Sequence, residues 1–279
     1  MIAYLRLVRA GLLLSPAADV VAGMALAGLP WSVDAVRTAA ASTCVYAAGM
    51  VLNDHADRHA DAVHRPERPL PSGAVPPGAA LTLGVVLLAA GCALSPWPVY
   101  HGGLALLAVL YDYVLKRHVA AGALTMGVLR GANLIAGGVV VGRVAPVPLL
   151  LHAALAYAVY IVAVTLLGVL EDEPKVKVKA VVSLALLGPL AGCLALLQTP
   201  HAAAAASAGF ALTVLFLFAA VRRRSFDQRA IRRVMTFLLL GTMVYTSLLC
   251  LGAGRMVEAA AVLAAALVGR AITRTIAVT

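Results

Sequence analysis

Between Asn53 and Asp61 the chain reads Asn53-Asp54-His55-Ala56-Asp57-Arg58-His59-Ala60-Asp61, with carboxylates at i, i+3 and i+7. On a continuing helix these three share one face within about 60° of arc and roughly 10 Å of rise. Like charges gathered so closely call for a cation. Hard divalent ions such as Mg²⁺ take oxygen ligands, keep several waters, and are usually bound through carboxylates together with the phosphate oxygens of a substrate. Immediately downstream, His64-Arg65-Pro66-Glu67-Arg68-Pro69-Leu70-Pro71-Ser72-Gly73 places Arg65 and Arg68 in a proline-stiffened loop, and arginine forks match phosphate oxygens. The stretch therefore reads as a site for Mg²⁺ and a diphosphate head group. Two other readings stay open. One is a solvated loop whose acids pair with its own arginines. The other is a zinc site through His55 and His59 at i, i+4, against which the neighbouring donors are hard oxygens rather than thiolates.

The elements that must position these residues are membrane helices. With 62% hydrophobic and 12% charged residues over 279 positions, and a mean hydropathy of +0.96, the chain has more apolar surface than a soluble domain can bury. Apolar runs of about 20 residues, the length of a spanning helix, recur almost end to end. The expected spans are 11–30, 36–53, 79–98, 100–116, 121–142, 147–170, 178–198, 202–221, 233–252 and a shorter, Ala-rich 256–270. The fold class is thus all-α, a polytopic transmembrane helical bundle of nine or ten spans, with 1–279 as a single integral-membrane domain. The first apolar run carries Asp19 and no clear cleavage site, so it reads as a span rather than a signal peptide.

The net charge of +10 lies in the loops, where it sets orientation and implies no nucleic-acid partner. In this order of spans Arg6, Arg9, Arg58, Arg65, Arg68, Lys116, Arg117, Lys175, Lys177, Lys179 and the cluster Arg222 to Arg233 fall on one side, leaving Arg37, Arg143 and Arg255 on the other. The positive-inside rule makes the first side cytoplasmic, with the acidic knot and the N-terminus on it; a tenth span would place the C-terminus there too. The localisation expected is the cell membrane, multi-pass. Cys44, Cys92, Cys193 and Cys250 sit in apolar runs without CxxC spacing and read as buried hydrophobes.

Further polar residues stand out against this background. Tyr111-Asp112-Tyr113-Val114-Leu115-Lys116-Arg117 closes the fourth span. There Lys116 either snorkels or contacts phosphate, Asp112 pairs with a basic neighbour, and Tyr111 or Tyr113 offers a hydroxyl to a departing group. Arg130 lies about nine residues into the fifth span, a costly position that normally faces a cavity or a partner. Asp19 lies at comparable depth in the first span, so an Asp19–Arg130 ion pair is expected, with Asn133 one turn on and Gly127 and Gly131 keeping that face open or closely packed.

Asn-Asp-x-x-Asp-x-x-x-Asp followed by Arg-Pro-x-Arg-Pro-Leu-Pro-Ser-Gly, with the Tyr/Lys pair after the fourth span, resembles the UbiA superfamily of membrane prenyltransferases. The resemblance covers most of the chain. It implies that Asn53, Asp54, Asp57 and Asp61 hold Mg²⁺ on a prenyl diphosphate, that Arg65, Arg68 and Lys116 contact its phosphates, and that an apolar cavity shelters the isoprenoid tail. Asp54, Asp57, Asp61, Lys116 and Tyr111 are then the candidate catalytic groups, and Tyr113, Arg130 and Asn133 join the substrate-binding set. One part departs from the family pattern. Its second aspartate motif, Asp-x-x-x-Asp, is replaced by Glu171-Asp172-Glu173-Pro174-Lys175-Val176-Lys177-Val178-Lys179, where adjacent acids point about 100° apart. Asp172 remains a candidate ligand, with Lys175, Lys177 or Lys179 neutralising the diphosphate in place of the missing carboxylate. The implied activity is Mg²⁺-dependent transfer of a prenyl group to an aromatic or other small lipophilic acceptor. The competing reading is a non-catalytic carrier of a phosphorylated lipid or isoprenoid conjugate.

Overall fold

The computed structural model describes residues 1–143, 145–170, 176–206, 209 and 225–278. They include ten α-helices: α1 Ile2–Leu7, α2 Leu14–Leu26, α3 Val33–His64, α4 Pro77–Leu94, α5 Pro98–Tyr113, α6 Val119–Gly142, α7 Pro148–Val169, α8 Val178–Leu196, α9 Gln228–Gly252 and α10 Met256–Val278. A two-residue antiparallel pairing of Val176–Lys177 with Ser225–Phe226 tethers the starts of α8 and α9. Seven of these helices are long and apolar enough to cross a membrane, and the shorter apolar segment Ala10–Leu26 and the 16-residue α5 stand beside them. The chain is a multi-pass membrane protein. The expected span 202–221 lies mostly outside the described residues, and the last helix runs well past the expected 256–270.

The boundaries follow from local chemistry. Proline at the first helical position, whose missing N–H would be unpaired anyway, opens α4, α5 and α7. Ser32 caps α3 by accepting from the Ala35 amide at 3.1 Å, and Asp227 caps α9 by accepting from the Ala230 amide at 2.8 Å. With its 32 residues, α3 is about 48 Å long against a hydrocarbon core of about 30 Å, so its polar C-terminal turns extend out of the apolar layer. It stops at Arg65, the residue before Pro66, where helical geometry is disfavoured.

Close backbone approach decides which helices meet. A Cβ at Gly23 would collide with the Leu134 carbonyl, and one at Gly137 with the Val20 carbonyl, so α2 and α6 pack backbone to backbone. Gly127 and Gly131 do the same for α6 against the carbonyls of Ala158 and Ala154 on α7. These two contacts bring α2, α6 and α7 together at mid-bundle.

The termini meet at one end of the bundle, where Arg6 Nε donates to the Ile276 carbonyl at 3.1 Å and Arg9 reaches Asp54 at 3.3 Å. The acidic knot and both chain ends therefore share a face. At the opposite end Arg37, Arg143 and Arg255 donate to the carbonyls of Leu94, Pro96 and Leu29.

Candidate active site

The C-terminal turns of α3 present Asn53 and Asp57 on one row and Asp54 and Asp61 on the next. Each row meets cations from different parts of the chain. Lys116, in the short 3₁₀ turn Leu115–Arg117 after α5, donates to Asn53 Oδ1 at 3.0 Å and sits 2.8 Å from Asp57 Oδ1. Asn53 Nδ2 in turn donates to Asp57 Oδ2 at 3.3 Å. On the second row Arg68 bonds Asp61 at 2.6 Å and Asp54 at 3.4 Å, and Arg9 reaches the same Asp54 oxygen at 3.3 Å. Asp57 is the most accessible acid, its side chain 35% exposed against 7% for Asp54 and 9% for Asp61.

The cations against the three carboxylates are Arg9, Arg68 and Lys116, which meet them in two groups. The pairing foreseen for a plain charged loop is realised by Arg68. Among the described residues no three His, Cys, Asp or Glu side chains gather in metal-binding geometry, which also leaves His55 and His59 without a zinc cluster. His55 Nδ1 instead lies 2.9 Å from the Tyr113 hydroxyl. The donor set still fits Mg²⁺, because that ion is held by one or two carboxylates plus waters and phosphate oxygens rather than by a closed protein cage.

The loop after α3 is a folded clamp. Arg65 takes the helix C-cap and its amide donates to the Asp61 carbonyl at 2.8 Å. The amides of Ser72 and Val75 bond back to the carbonyls of Arg68 and Pro69, with Gly73 at φ +75°, the left-handed region glycine permits. Leu70 and Val75 bury against Leu7, Val51 and Ala80, which holds Arg68 over the acids.

Beneath the charged groups lies a cavity of about 880 Å³ including its open mouth, bounded by α2, α3, α5 and α6. Arg9, Asn53, Tyr111 and Asp112 ring the mouth, Met50, Leu104, Ala108, Met126 and Leu129 wall it, and Arg130 with Asn133 closes its depth. Tyr111 faces the cavity, whereas Tyr113, expected beside it in the substrate set, is engaged by His55. Asp112 pairs with neither basic neighbour. It is 3% exposed and its Oδ2 has no hydrogen-bond partner among the described residues.

The Asp19–Arg130 pair forms as expected, at 3.1 Å. Arg130 also donates to Ser15 Oγ at 2.6 Å and to the Tyr157 hydroxyl, while Tyr157 donates to Asp19 at 2.9 Å. Asn133 Nδ2 lies 2.9 Å from both Asp19 Oδ2 and the Pro16 carbonyl. The guanidinium carbon stands 5.6 Å from the Tyr46 ring centre and 5.4 Å from that of Tyr157. Asp172 and Lys175 lie outside the described residues. Arg9, Tyr46 and Tyr157 were not singled out from the sequence as site residues. Arg9 carried only its charge as a signal, and the tyrosines carried none.

The sequence profile of the UbiA prenyltransferase family matches residues 17–184. Digeranylgeranylglyceryl phosphate synthase of Methanothermobacter thermautotrophicus is 36% identical over 102 residues, 35% of this chain and 36% of that protein. The enzyme of the same name from Methanopyrus kandleri is 33% identical over 150 residues, 52% of this chain and 55% of that one. The matches thus span between 36% and 55% of the length of these two relatives. Among solved structures, a UbiA homolog from Archaeoglobus fulgidus bound to GPP and Mg²⁺ shares the fold with a TM-score of 0.68 at 15% identity, covering 94% of this chain and 99% of the other.

Proposed function

Because the chain belongs to the UbiA prenyltransferase family, we propose that it is a Mg²⁺-dependent membrane prenyltransferase, which moves a prenyl group from a prenyl diphosphate to the hydroxyl of a glycerol-phosphate lipid. The observation that carries this reading is the paired array of Asn53, Asp54, Asp57 and Asp61 with Arg9, Arg68 and Lys116, standing over an apolar cavity. The GPP and Mg²⁺ bound by the Archaeoglobus homolog support the ligand class. For the acceptor, read from sequence as aromatic or otherwise lipophilic, the two digeranylgeranylglyceryl phosphate synthases named above support a glycerol phosphate carrying one isoprenoid chain.

In this mechanism Asp54, Asp57 and Asp61, with Asn53, are the residues that would hold Mg²⁺, which when bound would supply positive charge against the departing diphosphate. Arg9, Arg68 and Lys116 exchange their carboxylate partners for phosphate oxygens, which keeps every charge paired when the head group enters. They are fixed by the folded loop and the 3₁₀ turn, so little reorganisation is needed as the leaving group gains charge. Tyr111 stands at the cavity mouth to donate its hydroxyl to that group. Met50, Leu104, Ala108, Met126 and Leu129 exclude water from the allylic carbon. The charged end faces the cytoplasm, as its excess of Arg and Lys implies.

The test is to reconstitute the full chain in lipid nanodiscs with Mg²⁺, radiolabelled geranylgeranyl diphosphate and geranylgeranylglyceryl phosphate. The expected result is a doubly prenylated product with one equivalent of diphosphate released. No diphosphate release with any prenyl length or acceptor overturns the enzyme reading, and binding without turnover favours a carrier.

A further inference from the structure

The carboxylate lining the cavity, Asp112, is one the proposed mechanism leaves unused. It is the penultimate residue of α5, 3% exposed, and lines the cavity mouth beside Tyr111 and Asn53. The four carboxylates nearest it in role, Asp19, Asp54, Asp57 and Asp61, all lie in ion pairs. Asp112 differs for a local reason. The α-helix ends at Tyr113, Val114 leaves helical geometry at φ −129° and ψ −61°, and the following 3₁₀ turn carries Lys116 over to Asn53 and Asp57. The direct i, i+4 contact of Asp112 with Lys116 that a continuous helix would allow is therefore not made, and Lys116 acts on Asp112 through its charge alone. A buried carboxylate oxygen without a partner is rare and calls for an explanation.

The chemistry of that oxygen restricts what can complete it. An ionised carboxylate accepts hydrogen bonds or binds a cation, so an organic reactant that completes it must offer a donor. Diphosphate oxygens are acceptors, and an isoprenoid chain is neither. The acceptor hydroxyl is the reactant that fits.

We propose that Asp112 is the general base that receives the acceptor hydroxyl at the cavity mouth and takes its proton; this rests on the glycerol-phosphate acceptor proposed above. The bond between prenyl C1 and the diphosphate oxygen breaks, its electron pair leaving with diphosphate. A new bond forms between C1 and the acceptor hydroxyl oxygen, and the hydroxyl proton passes to Asp112 Oδ2. Asp112 then returns that proton to solvent as diphosphate leaves.

The test compares wild type, Asp112→Asn and Asp112→Glu as full chains in nanodiscs, measuring Mg²⁺-dependent geranylgeranyl diphosphate binding and transfer to geranylgeranylglyceryl phosphate. Asp112→Asn should bind the diphosphate within about threefold of wild type while its kcat falls about 10²- to 10⁴-fold. Asp112→Glu, which keeps a carboxylate, should exceed Asp112→Asn by about tenfold or more. An Asp112→Asn kcat within about threefold of wild type, or equally slow Asn and Glu variants, overturns the base role. Should Asp112→Asn fail to bind diphosphate at all, Asp112→Glu decides alone. A lowered kcat with unchanged acceptor KM supports the role, and an unchanged kcat with raised KM overturns it. A wild-type chain that binds the diphosphate but never prenylates this acceptor removes the acceptor reading itself, and the base role with it.

Discussion

Among the described residues two ionic clusters stand out, one at the charged end of α3 and one between α2, α6 and α7, and they solve the same electrostatic problem in opposite ways. At mid-bundle, one arginine and one aspartate are enclosed by Ser15, Asn133 and Tyr157, the Asp19 side chain being 1% exposed and that of Arg130 9%. Both carboxylate oxygens are bonded there. At the end of α3, three acids and three cations are held in looser pairs at 2.6 to 3.4 Å, with Asp57 and Arg9 each about a third exposed. A network whose carboxylate is fully bonded is suited to fixing geometry, even where Arg130 and Asn133 also line the cavity. An open one can trade its internal pairs for a metal and a phosphate. The comparison separates a cluster that holds helices in register from one suited to binding.

The sharpest way to break that distinction is to remove one acid from each cluster. Asp54→Ala or Asp57→Ala should lower single-turnover prenyl transfer by about 10³-fold while the protein remains folded; near-normal transfer in both would mean that the α3 acids are ordinary surface charges. Asp19→Ala should instead strand a buried guanidinium and destabilise the fold by about 3–5 kcal/mol, read as a lower unfolding midpoint in detergent. The double change Asp19→Leu with Arg130→Met should cost far less, because no charge is left unpaired. A smaller effect belongs to Lys116→Met, which should weaken prenyl diphosphate affinity about 10- to 100-fold without moving the unfolding midpoint. Equal losses of stability from Lys116→Met and Asp19→Ala would erase the contrast.

Much of this arrangement was legible before the structure. Equal depth in two helices entering from the same side was enough to pair Asp19 with Arg130, because helical rise converts sequence distance into depth. The spacing of the acids on α3 and the prolines after it marked the charged end. Other features depended on backbone turns that no side-chain pattern encodes. Arg9 reaches Asp54 because it occupies a left-handed conformation at φ +51°, rare for a non-glycine residue, which turns α1 toward the start of α2. Lys116 turns from Asp112 toward Asn53 and Asp57 because α5 ends at Tyr113, three residues before the end of the expected span 100–116. Tyr157 entered the mid-bundle network through the Gly127 and Gly131 contact with α7, and sequence offered neither its rotation nor its register. The acids near position 172, where the family pattern departs, lie outside the described residues.

The central claim is that the α3 cluster exchanges its internal ion pairs for Mg²⁺ and a prenyl diphosphate. The most direct measurement is equilibrium binding of geranylgeranyl diphosphate to the full chain in nanodiscs, titrated with Mg²⁺ and then with EDTA, for wild type and Asp57→Ala. The account predicts Mg²⁺-dependent binding in the wild type that EDTA reverses and Asp57→Ala abolishes. Binding of equal strength in EDTA, or unchanged in Asp57→Ala, would contradict it.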